Sequence, residues 1–250
     1  MKAGSLLRFM VRVAYPFGSI RRVRRGPLRG SRFVVRPAMG FSFVWGRDSM
    51  NWGWFSGMVR PGITVYDIGA NRGQMTLLFA RLVGPTGTVV SFEPVPTLFA
   101  DLIRNCELNG VGNVRPYNVA ASDIGGRSGF RYSEALSTQG KLSDVEPEYH
   151  SVAEEVIVRT CRIDDLAGEL PAPSILKIDV EGAAAKVLAG ARQTIERHRP
   201  GIYIELHGPE ERQAVKVLMR DHGYTAKELS GVDVPDPTDG WHSPLWCVPA

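Results

Sequence analysis

Val65-Tyr66-Asp67-Ile68-Gly69-Ala70-Asn71-Arg72-Gly73, answered one helix length later by Val89-Val90-Ser91-Phe92-Glu93-Pro94, is the stretch that decides the fold of this 250-residue chain. An apolar run of β-type residues ends in Asp67, a glycine-containing turn follows, and a helical segment leads into a second apolar run that ends in Glu93. That is the strand–turn–helix–strand unit of a doubly wound α/β sheet. In such a sheet the turn glycines let backbone N–H groups approach a ligand, and an acid at the tip of the second strand takes a ribose diol in two hydrogen bonds. An Asp-x-Gly turn alone says only that a strand meets a helix tightly; Glu93 gives it a nucleoside to hold.

The spacing selects the cofactor. A dinucleotide site needs Gly-x-Gly-x-x-Gly, so that a pyrophosphate can sit on the helix N-terminus. Here only Gly69 and Gly73 are present, and Asp67 stands before the turn, where it would repel a pyrophosphate. A carboxylate there suits a ligand with positive charge, such as the amine and sulfonium of S-adenosylmethionine.

Outward from this unit the alternation continues. Thr97–Leu108 reads as a helix closed by Asn109-Gly110, Val114–Ala120 as a strand, Ser174–Ile178 as a strand, Ala183–Arg197 as a helix, Gly201–Leu206 as a strand and Pro209–His222 as a helix. Tyr224–Leu229 and Leu245–Val248 form a closing pair, the last strand antiparallel. Ser128–Tyr132 and Val156–Arg162 read as antiparallel strands around an irregular polar stretch, 133–154. Strands alternating with helices imply an α/β, Rossmann-like domain: a mostly parallel seven-stranded sheet with helices on both faces. Before it, Arg32–Arg36 and Phe41–Trp45 read as two short strands of a hairpin, and Asn51–Val59 as an aromatic-rich helix. The expected organisation is a basic arm over 1–27, a small β/helical extension over 28–60 and the main domain over 61–250.

Acids gather at the strand tips: Asp67, then Glu93, then Ser122-Asp123, then Asp179 and Glu181, then Glu205 with His207. A core explanation would place apolar residues there. With these residues in view, residues 28–229 resemble the FkbM-type family of S-adenosylmethionine-dependent methyltransferases. The resemblance rests on Gly30 with the aromatic strands after it, Pro61-Gly62, Asp67–Gly73, Phe92-Glu93-Pro94, Asn105 with Asn109, Ala120-Ala121-Ser122-Asp123, Leu176-Lys177-Ile178-Asp179-Val180-Glu181-Gly182, Leu188-Ala189-Gly190-Ala191, and Arg199-Pro200 before Glu205. It implies a class I methyltransferase fold and O-methylation of a hydroxyl on a sugar, glycolipid or polyketide-like product. One departure stands out. The family commonly continues Glu-Gly-Ala-Glu, whereas this chain has Glu181-Gly182-Ala183-Ala184.

Roles follow from charge. Asp67 faces the methionine amine, Gly69 and Gly73 allow close backbone approach, and Asn71 steadies the turn. Glu93 accepts from both ribose hydroxyls, and Asp123, with Ser122 beside it, takes the adenine amino group, unless Asp123 serves only as a turn former. A neutral alcohol must shed its proton, so a general base within reach helps. Asp179, Glu181 and His207 are the catalytic candidates. His207 is preferred because an unperturbed pKa near ~6.5 suits neutral pH; a plain surface histidine is the alternative. Lys177 pairs with Asp179 or Glu181, in catalysis or as a structural salt bridge. A metal alternative stays open: Asp179, Glu181, Glu205 and His207 offer ligands to Mg²⁺ or Mn²⁺, which would acidify a bound hydroxyl. No spacing rule identifies such a site, and no metal ligands are assigned. Trp45, Trp52, Trp54 and Phe55 read as a lid or sugar-stacking wall, or as a core cluster.

Charge is unevenly distributed. Residues 1–47 hold eleven Lys or Arg and no acid, which leaves residues 48–250 with a net charge of −7. The arm reads as a solvated segment that packs on the domain, or as a basic amphipathic segment on an anionic membrane, with an Arg/Ser content like that of an organelle presequence; phosphate-binding by it would make the enzyme a nucleic-acid methyltransferase. No base pocket or RNA-binding module supports that second class. The arm's apolar stretch is too short and too charged to span a bilayer or serve as a secretory core. Cys106, Cys161 and Cys247 are odd in number and far apart, so neither a disulfide framework nor a zinc site is expected. The expected location is the cytoplasm, with the inner membrane surface as the alternative for the arm. The acceptor is a small molecule or glycan with a free hydroxyl. A third class, a donor-binding protein without turnover, is raised by Ala184.

Overall fold

The computed structural model describes residues 16–36, 51–132, 140–142, 154–240 and 242–250. Its centre is a seven-stranded sheet. Strands β3 (Thr64–Ile68), β4 (Thr88–Phe92), β5 (Val114–Tyr117), β10 (Ile175–Ile178), β11 (Gly201–Ile204), β12 (Tyr224–Glu228) and β13 (Leu245–Pro249) lie in the order β12-β13-β11-β10-β3-β4-β5. Neighbours among β5, β4, β3, β10 and β11 pair in parallel, and β13 runs antiparallel to both β11 and β12. The Rossmann-like reading and its antiparallel last strand hold.

Alternation along each strand divides the core between two faces. Tyr66, Ile68, Val90, Phe92, Leu176, Ile178, Ile202 and Ile204 pack toward helices α4 (Ala184–Gly190), α5 (Arg192–His198) and α6 (Pro209–His222). Val65, Val89, Ile175 and Tyr203 pack on the other side, toward α1 (Trp52–Met58), α2 (Gln74–Val83) and α3 (Pro96–Leu108). Each such side chain, fully buried, contributes about 1.5–3 kcal/mol relative to exposure. The sheet is thereby a stiff platform whose strand ends are fixed.

Of the aromatics assigned to a lid or a core, the described ones belong to the core. Phe55 lies edge-on to Phe79 at 4.9 Å, and Trp54 bridges Tyr203 and Trp246 at 5.8 and 5.1 Å. Trp45 lies outside the described residues.

Four local expectations are corrected. First, β2 (Arg32–Val34) pairs antiparallel with β1 (Ile20–Arg22), a segment read as part of the arm; Phe41–Trp45 lies outside the described residues. The turn runs through Gly26, Pro27 and Gly30, with Gly30 N–H donating to the Val23 carbonyl. Second, Val114–Ala120 is not one strand. β5 ends at Tyr117, and the Asn118 side-chain amide donates to the carbonyls of Glu93 and Pro94, which folds the chain over the β4 tip.

Third, pairing resumes in a separate side sheet, where β6 (Ala120–Ala121), β7 (Gly126–Tyr132), β8 (Gly140–Leu142) and β9 (Glu154–Cys161) lie in the order β6-β9-β7-β8. The expected β7–β9 antiparallel pair is there; of the polar stretch between, 133–139 and 143–153 lie outside the described residues. Fourth, the helix expected over Ala183–Arg197 is two. The Asp164 carboxylate accepts from the backbone N–H groups of Gln193 and Thr194 and from the Thr194 hydroxyl, which caps α5 as a fresh start.

Candidate active site

Asp67 is fully buried. Its Oδ2 accepts from the Thr76 hydroxyl at 2.6 Å, and its Oδ1 stands 3.3 Å from the Lys177 ammonium. Parity explains this orientation: Asp67 shares the strand face of Val65, toward α2, and Lys177 on β10 shares it too. The Asp67 carboxylate is not part of the cavity wall, whereas Lys177 is.

Both turn glycines are required by packing. Gly69 and Ala70 both donate to the Phe92 carbonyl, and Gly69 has φ +81°. A Cβ there would lie 1.9 Å from the Asp179 carbonyl oxygen. Gly69 is thus required because the β3 and β10 tips nearly touch. At Gly73, in the left-handed region, a Cβ would press on Leu102 at 3.1 Å, so this glycine serves α2–α3 packing. Asn71, at φ 51°, accepts from its neighbour Arg72's N–H through Oδ1 at 2.8 Å, as a turn-steadying residue should.

A cavity of about 380 Å³ opens at these strand ends. One part is apolar, with Phe92, Pro94, Leu98, Val119 and Ala120 around Glu93. Glu93 is 4% exposed; its two oxygens accept from the N–H groups of Asn71 at 2.8 Å and Val95 at 2.9 Å. Burial nonetheless pushes its pKa up to about 7. Phe130 and Tyr132 of β7 also line the cavity. The other part is ionic and holds Lys177, Asp179, Glu181 and Glu205. Lys177 donates to the Gly69 carbonyl at 3.0 Å and pairs with Asp179 at 3.4 Å. Burial opposes its charge, but Asp67, Asp179 and Glu205 outweigh that and raise its pKa. Burial likewise opposes charge on Asp179, but Lys177 and then His207 hold its pKa below the usual carboxylate range. Glu205 goes the other way, raised by burial and by the Asp179 charge, and it accepts from the Tyr203 hydroxyl at 2.8 Å.

Beside this group sits His207. Its Nε2 is 3.6 Å from Asp179 Oδ1 and its Nδ1 is 3.4 Å from Glu181 Oε2. The Asp179 interaction lifts its pKa to about 9 against the opposing effect of burial, with Glu181 adding to the rise. The two carboxylates therefore favour the protonated imidazolium, above the ordinary histidine range.

Residues 67–226 of this chain match the profile of the methyltransferase FkbM domain. The chain belongs to the FkbM methyltransferase family. It is 33% identical over 195 residues to the 31-O-demethyl-FK506 methyltransferase FkbM of Streptomyces tacrolimicus, covering 67% of this chain and 74% of that one. It is 30% identical over 164 residues to the 2-O-methyltransferase NoeI of Sinorhizobium fredii, covering 60% and 66%. The crystal structure of methyltransferase FkbM from Methylobacillus flagellatus aligns with a TM-score of 0.50 at 16% identity, over 85% of this chain and 48% of that chain, which shows the fold alone.

As an S-adenosylmethionine-dependent FkbM-type methyltransferase, the protein must hold a cationic donor, and its cavity has the chemistry for one. Glu93, Asp179, Glu181 and Glu205 line it, against Lys177 and Arg72, and the Arg72 guanidinium is taken by the buried carboxylate of Asp101. Ser122 and Asp123 are not brought to this wall. Because β5 ends early, they follow β6 instead; Ser122 N–H donates to the Cys161 carbonyl and its hydroxyl to Asp123, outside the cavity.

Among the described residues, Asp179, Glu205 and His207 could together hold a metal ion, with ligand atoms within 4.8 Å of one another. The donor set does not fit well. Lys177 already sits at Asp179, and His207 carries a proton that a ligand must lose.

Glu211 is a residue the sequence did not single out. Buried in the first turn of α6, it accepts from the N–H of Ala184 at 2.9 Å and from the N–H of His207. A carboxylate from another helix thus serves the start of α4, at Ala184. Only the inward helical period Glu211–Val215–Leu218 could have distinguished it from Glu210.

Proposed function

We propose that the protein transfers a methyl group from S-adenosylmethionine to a hydroxyl oxygen of a sugar, glycolipid or polyketide-like acceptor. The observation that carries this reading is His207 held between Asp179 and Glu181 beside a cavity with Glu93 in its apolar part. Glu93 is assigned the ribose hydroxyls, using lone pairs left over from Asn71 and Val95. Phe92, Pro94, Val119 and Ala120 are assigned the adenine face. Asp179 and Glu205 face the donor's positive charge; Asp67 acts at one remove, by fixing Lys177 and Thr76. When bound, the donor supplies a methyl group already activated on sulfur, so the chain's tasks are alignment and proton removal.

His207 in its neutral form accepts the hydroxyl proton at a ring nitrogen. Asp179 and Glu181 orient the ring and stabilise the imidazolium that results. A hydroxyl is favoured over a carboxylate acceptor because Asp179, Glu181 and Glu205 would repel an anion at this rim. The relatives' names, a 31-O- and a 2-O- enzyme, support oxygen as the target.

The test is to incubate the protein with methyl-labelled donor and a set of polyol macrolides, neutral glycans and hexuronic acids. Label in an alkali-stable methyl ether is the expected result. Label in an alkali-labile ester would overturn the hydroxyl assignment.

A further inference from the structure

The β1–β2 hairpin carries a charge arrangement that the methyl-transfer site does not use. The hairpin is fixed on α3: Arg32 N–H donates to Asn109 Oδ1 at 2.9 Å, Asn109 donates back to the Arg32 carbonyl at 2.7 Å, and Val34 N–H donates to Asn105 at 3.0 Å. Val23, Leu28 and Phe33 are buried beneath it. Its outer side is arginine. Arg22 stands directly opposite Arg32 in the ladder, and both are exposed. Arg24 and Arg29 are exposed in the connecting turn, and Arg81 of α2 donates to the carbonyls of Pro27 and Arg29. Like charges facing each other across a strand pair are destabilising, and among the described residues no carboxylate pairs with Arg22, Arg24, Arg29 or Arg32.

Apolar side chains stand beside these charges. Ile20 is 42% exposed and lies two residues from Arg22, on the same side of β1; Phe17 is 45% exposed. The sequence just before mixes the same two kinds of residue, Leu6, Leu7, Phe9, Met10, Val11 and Val13 with Arg8 and Arg12. A nucleic-acid surface needs cations alone or cations with stacking rings. A bilayer surface needs cations for the headgroups and aliphatic side chains for the interface. No helix among the described residues is long and apolar enough to cross a membrane.

We propose that this hairpin is a docking surface for an anionic lipid bilayer, its arginines on the headgroups and Ile20 and Phe17 in the interface. The net charge of −7 on residues 48–250 sets the orientation, since the body is repelled by the surface that attracts the hairpin.

Flotation of the full chain with vesicles of phosphatidylcholine alone, or enriched in phosphatidylglycerol, tests this. Binding to the anionic vesicles only is expected. A combined Arg22→Gln, Arg24→Gln, Arg29→Gln, Arg32→Gln variant should lose about fivefold in partitioning per arginine. Ile20→Ser with Phe17→Ser should remove the part of binding that survives high salt. Every variant should bind S-adenosylmethionine as the unmodified protein does, which separates this proposal from the methyl-transfer reading. No flotation with anionic vesicles would overturn it. So would displacement by duplex DNA together with indifference to the Ile20 and Phe17 changes, which would mark a polyanion surface.

Discussion

His207 sets the pH dependence of the proposed chemistry. With its pKa at about 9, the neutral base is the minor form at pH 7 and grows tenfold per pH unit until it dominates. In the free enzyme, kcat/KM should therefore rise with pH and level off near 9. His207→Ala should lose that limb and about 10²–10⁴-fold in rate, with donor affinity kept. A flat profile in the unmodified enzyme would remove His207 from the base role. Stability has the matching sign. The folded pKa lies above the unfolded ~6.5, so the His207 contribution is whole below that pH and fades as pH rises through 9. The candidate site was legible in the sequence where a strand tip carries the residue: Glu93, Asp179 and Glu181 line the cavity. The inward side of Asp67 was legible from strand parity with Val65. The charge state of His207 was not legible, because it depends on two carboxylates from a different strand's end. Glu211 was hidden because its partners are backbone N–H groups, at Ala184 on another helix and at His207 just before its own helix, which no side-chain pattern marks.

Among the elements, the two-part α4–α5 unit shows how backbone proximity, more than propensity, decides helix ends. A Cβ at Gly190 would lie 1.9 Å from the Ser122 carbonyl oxygen, so α4 closes directly on the chain leaving β6. Gly190→Ala should destabilise by about 3 kcal/mol, read as a lower midpoint in urea. Gly53 in α1 has nothing within 4 Å of where a Cβ would stand, and Gly53→Ala should stabilise by about 0.5 kcal/mol. Equal effects at the two positions would mean that the Ser122 contact does not constrain α4. These contacts also explain which elements the sequence disclosed. The central strands other than β5, together with α2, α3 and α6, have clear periods and ends, and they lie where expected. The breaks at Asn118 and Ala191 depend on the Asn118 amide donating to the Glu93 carbonyl and on the Asp164 carboxylate accepting from the Thr194 N–H, both distant in sequence. No local pattern encodes those. The β1–β2 pair was missed because its strands are three residues each and rich in arginine, against the usual strand composition.

At the scale of the whole molecule, charge is separated. The first 47 residues carry no acid, and the remainder has a net charge of −7, with several of its acids gathered around the cavity. A positive potential at the hairpin and a negative one at the strand tips make ionic strength a probe of both. S-adenosylmethionine carries one more positive charge than its demethylated product, and the two are otherwise nearly the same shape. Asp179, Glu181 and Glu205 line the part of the cavity assigned to the sulfonium. At low salt, where the screening length is ~30 Å, the charged donor should feel these carboxylates and the body's field together. At ~1 M salt, where that length is ~3 Å, only the nearest carboxylate still acts. The donor should therefore bind more tightly than the product at low salt, and the ratio of their affinities should fall several-fold as salt is raised. Calorimetric titration of both ligands across a salt series measures that ratio. A ratio independent of salt would mean that the sulfonium lies away from these carboxylates, and the donor's orientation in the cavity would have to be reversed.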